Sequence, residues 1–270
     1  MAIRWLQPQG RYHKLATTNS RTIKLWKMFE KAEKKVVKNA GKDLAIPKLH
    51  TVDMSYMAEL QRSFPTKHMT GINSINITKN QEYMLSSDDG QIFLWSLERP
   101  EIPYMMVNYA PKADCEEQSE LITCSDVHPT SDSLFAFGMS KGTLRLGDLR
   151  VSSNVVANST SFGEQTVHKN YIYELLASYC NVKFTKGGKY LATRDCLTVK
   201  LWDICNPKKP VSQIMLNDGL KSKLCEMVEN ESIYDKFTMC PSSDGRSLLT
   251  GSYNNSFHIV DPEDNMNAQY

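Results

Sequence analysis

Acidic side chains that could attract a positively charged partner occur at two places in the chain. One is a polar turn between two apolar segments, which contains Asp88 and Asp89. The other is a polar insertion much later in the chain, which contains Glu229, Glu231, Asp235 and the neighbouring Lys236. Surface carboxylates attract basic segments and speed their encounter, whereas aspartates in turns often cap backbone N–H groups. We expect Asp88 to cap its turn.

Residues that could carry out catalysis show no recognisable arrangement. The six histidines form no H-E-x-x-H pattern, no serine stands in a nucleophile elbow, and no catalytic triad is indicated. The segment Lys186-Gly187-Gly188-Lys189 lacks the G-x-x-x-x-G-K-[ST] pattern of a phosphate-binding loop and is predicted to be a hairpin turn. We therefore predict that the protein is not an enzyme and that it has no cofactor.

Composition and charge set further limits. The 270 residues carry a net charge of only +2, which gives no field suited to nucleic acid. No apolar run is long enough for a transmembrane helix, and the first residues have no signal-peptide core. The seven cysteines include no C-x-x-C pair. We expect reduced, mostly buried thiols, no metal site, no membrane contact and a cytoplasmic or nuclear location.

One pattern recurs five times and must position these residues. An apolar stretch leads to a polar turn, and a second alternating stretch then ends on a bulky residue, often followed by Asp. The copies end at Trp26, Trp95, Asp148, Asp203 and Asp261. Their spacing exceeds the about 40–45 residues of a minimal WD repeat, so each unit carries an insertion. The pattern predicts an all-β, WD-repeat β-propeller, partial with about five blades, over residues 1–261.

Three segments interrupt this rhythm. A lysine-rich insertion occupies residues 30–65, and Val151–Lys169 is rich in Ser, Asn and Thr, which predicts a mobile loop. The third, Asn206–Glu231, carries a proline-rich turn followed by the run KSKLCEMVENE. After the last repeat, residues 262–270 form a polar tail that we expect to be disordered.

Short motifs in the same order across nearly the whole chain are more specific than the repeat. They are IRWL (3–6), TIKLWK (22–27), INSI (72–75), SSDD (86–89), SKGTLRL (140–146), VKF (182–184), TRD (193–195), SKLC (222–225), YDKF (234–237) and GSYNN (251–255). By these motifs the chain resembles the 55-kDa regulatory B subunits of protein phosphatase 2A, which are WD-repeat propellers. The match corresponds to blades two to six of the family's seven, and the first and last blades have no counterpart here.

The resemblance implies a non-catalytic regulatory subunit. In the family, the propeller joins a helical-repeat scaffold subunit and a metallophosphatase catalytic subunit, and it recruits phosphoserine and phosphothreonine proteins as substrates. It also implies that Asp89, Glu229, Asp235 and Lys236 face the substrate side. The family has tyrosine where this chain has Thr70 and Val228, and tyrosines are favoured anchors at interfaces. Their loss is expected to weaken or retune docking.

The insertion at 30–65 corresponds to a β-hairpin arm that grips the scaffold in the family. The run Leu44-Ala45-Ile46-Pro47-Lys48-Leu49 resembles the apolar core of that arm, so Leu44, Ile46, Pro47 and Leu49 are predicted scaffold contacts. Exposed apolar residues away from a closed ring need a partner. The alternative from the residues alone is a solvated lysine-rich helix over Phe29–Gly41, with Glu and Lys four residues apart.

Two other functions stay open at this point. The chain could be an interaction scaffold that kept the fold without joining a phosphatase, and binding to the helical-repeat subunit would separate these two readings. It could instead be a propeller hydrolase, for which catalytic carboxylates should line the central channel.

Overall fold

The computed structural model describes all residues except 1, 9, 38–47, 66, 110–119, 152–157, 164–174, 233–234, 254 and 262–265. Within the described residues the strands form five antiparallel sheets of four strands, and each sheet follows chain order from one edge to the other. Each sheet is one propeller blade. The all-β, partial WD-repeat propeller predicted from the repeats is confirmed.

The blades contain the following strands. Blade one has β1 (Ile3–Trp5), β2 (Tyr12–Thr18), β3 (Ile23–Val37) and β4 (Lys48–Phe64). Blade two has β5 (Ser74–Ile77), β6 (Tyr83–Ser87), β7 (Gln91–Ser96) and β8 (Tyr104–Asn108). Blade three has β9 (Ile122–Val127), β10 (Leu134–Met139), β11 (Leu144–Asp148) and β12 (Thr160–Phe162). Blade four has β13 (Asn181–Phe184), β14 (Tyr190–Arg194), β15 (Thr198–Asp203) and β16 (Ser212–Met215). Blade five has β17 (Met239–Pro241), β18 (Leu248–Gly251), β19 (Phe257–Asp261) and β20 (Met266–Gln269).

The core lies between blades rather than inside any one of them. Alternating side chains point to the two faces of each sheet, and four buried apolar clusters fill the four spaces between successive blades. Trp95 of blade two packs with Leu25 of blade one in the first space, and Trp202 of blade four packs with Ala136 of blade three in the third. Each fully buried large apolar side chain contributes about 1.5–3 kcal/mol, so neighbouring blades hold one another in place.

The outward faces of the first and fifth blades remain exposed. Ile3 and Trp5 are 51% and 61% exposed on blade one, and Leu249 and Ile259 are 47% and 39% exposed on blade five. Leu249 pairs with Ile259 across β18 and β19. The equivalent pair in blade two, Leu85 and Leu94, is buried against blade three. The five blades therefore form an arc with two apolar end faces.

The long insertion is a β-hairpin, not a helix. Strand β3 pairs with β4 from Ile23 opposite Phe64 to Val37 opposite Lys48, and the ladder includes the whole of Glu30–Val37. The alternative of a lysine-rich helix over Phe29–Gly41 is wrong for the described part of that segment. Charge pairs four residues apart are worth only about 0.2–0.5 kcal/mol each, whereas the β3–β4 ladder pairs the backbone N–H and C=O groups that face each other across the two strands.

The sequence missed two strands and a helical segment. Strand β12 lies inside the predicted loop at Val151–Lys169, and β20 lies inside the predicted disordered tail, where Met266 pairs with Asp261. The polar insertion between blades four and five contains a 3-10 helix at Asp218–Lys223, followed by helix α1 at Leu224–Glu229. Among the described residues, no helix has the length and apolarity needed to cross a membrane.

Two polar side chains, His128 and Asp195, make structural contacts within their own blades. His128 contacts its turn, since Nδ1 accepts the N–H of Ser131 at 2.9 Å. Asp195 forms a structural ion pair with Lys200 at 3.0 Å.

The expectation of mostly buried thiols was wrong for the cysteines in the described ranges. All of these cysteines are free thiols, but Cys205, Cys225 and Cys240 are exposed.

Candidate functional site

The antiparallel strand order divides the turns between two rims. The turn between the second and third strands of a blade lies at the same end as the connection to the next blade, and we call this end the upper rim. The arm, which is the part of the β3–β4 hairpin beyond Phe29, joins a third strand to a fourth and therefore projects from the opposite end, the lower rim. Asp88 and Asp89 follow the second strand of blade two and lie on the upper rim.

Asp88 is a structural residue, as expected. It is 1% exposed, and its carboxylate accepts hydrogen bonds from the N–H groups of Gly90 at 2.9 Å and Gln91 at 2.6 Å. Nδ1 of His68, from the connection between blades one and two, lies 2.8 Å from the same carboxylate. Burial by itself raises the pKa of Asp88, but these hydrogen bonds outweigh it and hold the pKa below its ordinary value of 3.8.

The same histidine continues the network into the blade. Nε2 of His68 lies 2.7 Å from Oγ of Ser86, and Nε1 of Trp95 donates to that oxygen at 2.7 Å. The chain Asp88–His68–Ser86–Trp95 therefore joins the connecting segment, the turn and two strands of blade two. Blade four has a hydrogen bond equivalent to the one between Trp95 and Ser86, since Nε1 of Trp202 donates to Oγ1 of Thr193 at 3.0 Å.

Asp89 lies beside Asp88 but is half-buried rather than buried. Oδ1 accepts a hydrogen bond from Nδ2 of Asn73 at 2.9 Å, and its N–H donates to Oγ1 of Thr70 at 3.2 Å. The carboxylate is thus held in one orientation on the upper rim. The family that the chain resembles has tyrosine at the position of Thr70. In this chain the Thr70 hydroxyl stabilises the turn by accepting the N–H of Asp89.

The other three predicted docking residues lie in the connection between blades four and five. Glu229 is the last residue of α1, and Asp235 and Lys236 follow after a short gap in the described chain. All three side chains are exposed. This connection also belongs to the upper rim, so the four residues share one rim of the propeller. No described hydrogen bond or ion pair links Asp89 to the other three.

Sequence reasoning missed the residues that hold Asp235 and Lys236 in place. The ring of Phe237 packs edge-on against Tyr253, with ring centres 4.9 Å apart. The phenol of Tyr253 donates to the backbone oxygen of Ser232 at 3.2 Å. Tyr253 and Phe237 lie within the motifs GSYNN and YDKF, so the motifs marked them, although only the fold brings them together.

The predicted scaffold contacts stand in the sequence between the end of β3 and the first residues of β4. Leu44, Ile46 and Pro47 fall outside the described residues, and for Leu49 the structure gives the backbone alone, paired with Val36. Their role stays a prediction. The described part of the arm exposes further apolar side chains on β4, namely Val52, Met54 and Tyr56, and Met57 and Leu60 are exposed closer to the blade.

The described residues near the propeller axis do not present a free pair of carboxylates. Asp126 on β9 bonds Nζ of Lys183 at 2.9 Å and the N–H of Phe184 at 3.1 Å. Its carboxylate also lies 3.8 Å from the guanidinium of Arg4. No group of three His, Cys, Asp or Glu side chains in the described ranges could hold a metal ion. Burial raises the pKa of Cys196 on the upper rim to about 11, so its thiol is a poor nucleophile.

Comparison with known proteins agrees with this architecture. A family model for the WD domain, G-beta repeat, matches residues 59–96. The Protein phosphatase PP2A 55 kDa regulatory subunit of Drosophila melanogaster is 35% identical over 273 residues, which cover 96% of this chain and 54% of the relative. The chain thus spans about half the length of that relative. The crystal structure of the Myceliophteria thermophila Cps50 (Swd1) β-propeller domain superposes with a TM-score of 0.60 at 13% identity, over 96% of this chain and 68% of that one. The resemblance to the 55-kDa regulatory subunits is confirmed, and the solved structure supports the fold alone.

Proposed function

We propose that this chain, a relative of the 55-kDa regulatory subunits of protein phosphatase 2A over the half that it spans, is a non-catalytic targeting subunit of such a phosphatase. In this proposal the arm binds the helical-repeat scaffold subunit, which also carries the catalytic subunit. The upper rim captures phosphoproteins whose phosphorylated residue is flanked by basic residues.

The observation that carries the proposal is the exposed apolar face of the arm. Met54 and Tyr56 are 51% and 79% exposed and lie opposite Ala32 and Glu30 in the hairpin. The part of β3 beyond Phe29 pairs with β4 alone and extends roughly 25 Å from the blade at about 3.3 Å per residue. A projecting apolar hairpin of this length is suited to a groove between helices and gains little from pointing into water.

The charges on the upper rim support the second half of the proposal. Asp89, Glu229 and Asp235 place three carboxylates at the rim opposite the arm. A phosphatase held by the arm would leave this rim open to a substrate. Carboxylates there would favour basic flanking residues mainly through the rate of encounter.

The test is selective dephosphorylation by an assembled complex. The chain is mixed with recombinant scaffold and catalytic subunits, and two phosphothreonine peptides are compared, one with three flanking arginines and one with glutamines in their place. We expect the chain to co-purify with both subunits and to lower KM for the arginine peptide relative to the scaffold–catalytic pair alone. Failure to co-purify would favour the alternative of an interaction scaffold without phosphatase assembly.

A further inference from the structure

The segment that carries Asp235 and Lys236 has little packing of its own. The 3-10 helix at Asp218–Lys223 and helix α1 contain no buried residue. Asp235 and Lys236 are both exposed, and the first buried side chain after them is Met239, on β17. An exposed segment without a core holds its shape only through the few contacts that tie it to the blades.

We propose that Tyr253 is the positioning residue for docking: it fixes Asp235 and Lys236 on the upper rim and thereby sets the preference for basic substrates. The inference rests on the proposed function, because it assigns a residue that controls the same docking surface. Tyr253 lies in the turn between the second and third strands of blade five, and it touches the segment at two points.

The first point is a hydrogen bond. The phenol of Tyr253 donates to the backbone oxygen of Ser232 at 3.2 Å. Burial raises the pKa of Tyr253, and the negative charge of Asp235 adds to this effect, so the phenol keeps its proton and stays a donor across the physiological range.

The second point is the ring of Phe237, the residue next to Lys236. Phe237 lies between Tyr253, whose ring meets it at 84°, and Arg194, whose guanidinium carbon is 4.7 Å from the ring centre. Arg194 is itself fixed, because Nη1 donates to Oγ1 of Thr250 and, at 2.6 Å, to the backbone oxygen of Gly251. Phe237 therefore contacts both a fixed side chain of blade four and the ring of Tyr253.

Blade five also restricts the position of Phe237 and of the segment that carries it. A side-chain carbon added at Gly251 would lie 3.3 Å from the ring of Phe237, so the backbone of blade five also limits where the ring can lie. The beginning of the segment is tied separately, since Oγ of Ser252 donates to Oδ1 of Asn217 at 2.7 Å. Loss of the Tyr253 contacts would thus release the docking residues without detaching the segment from the blade.

The experiment measures binding of the whole chain to a fluorescent phosphothreonine peptide with three arginines, against the same peptide with glutamines. Tyr253→Phe removes the hydrogen bond and keeps the ring, and Phe237→Leu removes the ring contact and keeps the bond. Tyr104→Phe is the matched control, because Tyr104 is exposed on blade two, far along the chain from this turn. We expect each test variant to bind the arginine peptide roughly 3- to 10-fold more weakly, with Tyr104→Phe unchanged.

A double-mutant cycle separates positioning from a purely structural role. If Tyr253 acts through Asp235, Tyr253→Phe should have almost no further effect in an Asp235→Asn background. The thermal unfolding midpoint of Tyr253→Phe should stay close to that of the unchanged chain, and amide exchange should quicken at residues 235–238. Additive losses, or unchanged binding by Tyr253→Phe, would overturn the role assigned to Tyr253 but would leave the proposed substrate docking intact. Equal binding of both peptides by the unchanged chain would overturn substrate docking itself, and the inference with it.

Discussion

Nε2 of His68 lies 2.7 Å from Oγ of Ser86, within the reach that a serine nucleophile and its base require. With Asp88 on the other ring nitrogen, the three residues have the order of a catalytic triad. The surroundings assign them a structural role. Ser86 is fully buried, and its oxygen also accepts the N–H of Trp95. No substrate carbonyl can reach this hydroxyl, so the network joins blade two to the segment that precedes it.

Removal of His68 should therefore weaken folding. In His68→Ala the buried carboxylate of Asp88 loses one of its three hydrogen-bond partners, which typically costs about 1–3 kcal/mol. We expect a loss of this size in the free energy of unfolding measured with urea. His13→Ala, a change at a less buried histidine of blade one, is the control and should have little effect. A loss below about 1 kcal/mol for His68→Ala would contradict the assigned role.

The hydrogen bonds to Asp88 also predict how stability depends on pH. Its pKa is lowered in the folded protein, so the stabilisation is fully present above the unfolded pKa, near 3.8. It is lost as pH falls through the lower folded value. The difference in unfolding free energy between the unchanged chain and Asp88→Asn should shrink as the pH falls below about 4. A difference that is the same at pH 3 and pH 7 would rule out this account of Asp88.

Charge reversal on the upper rim should affect one class of substrate. In the assembled phosphatase, Asp89→Lys with Asp235→Lys should raise KM for the arginine-flanked phosphopeptide roughly 10-fold and leave kcat nearly unchanged. The glutamine-flanked peptide should hardly respond. Glu98→Lys, at an exposed position on the lower rim, serves as the control. Equal losses on both peptides would indicate damage to assembly or folding instead of lost docking.

The two apolar end faces of the arc should promote self-association of the isolated chain. Trp5 on blade one and Leu249 and Ile259 on blade five are the exposed residues to change, each to threonine, which retains β propensity. We expect sedimentation velocity to show fewer large species for the triple variant at the same concentration. Val211→Thr, at an exposed position of blade four, is the comparison and should leave the distribution unchanged. An unaltered distribution in the triple variant would show that these faces are not adhesive.

The sequence predicted the parts of the fold that repeat locally. Each tryptophan that ends a repeat bonds a Ser or Thr nine residues earlier, as Trp26 does with Thr17 and Trp202 with Thr193. This spacing of nine residues results from two paired strands joined by a short turn, so it can be recognised from the sequence. The strands β12 and β20 were missed because they are short, polar edge strands, which pattern alone does not distinguish from loops.

The proposed docking surface was only partly predictable for a different reason. Asp89 and Asp235 stand in motifs that the sequence displays, but the contact of Tyr253 with Ser232 joins separate segments of blade five and its preceding connection. Similarly, nothing near His68 in the sequence indicates that it enters the next blade to reach Asp88 and Ser86. Contacts between distant segments depend on how blades stack, and no local propensity encodes that geometry.

The most direct test of the targeting-subunit proposal is the affinity of the chain for the helical-repeat scaffold subunit, measured by calorimetry. Ile46→Asp with Leu49→Asp places charge on the predicted contact surface of the arm, at a cost of about 3 kcal/mol, or roughly 100-fold weaker binding. Met69→Asp introduces the same charge at a residue that is 67% exposed on the opposite rim. We predict tight binding by the unchanged chain and by Met69→Asp, with binding lost in the arm variant. Equal affinity of all three proteins for the scaffold, or no binding by any of them, would contradict the proposed function.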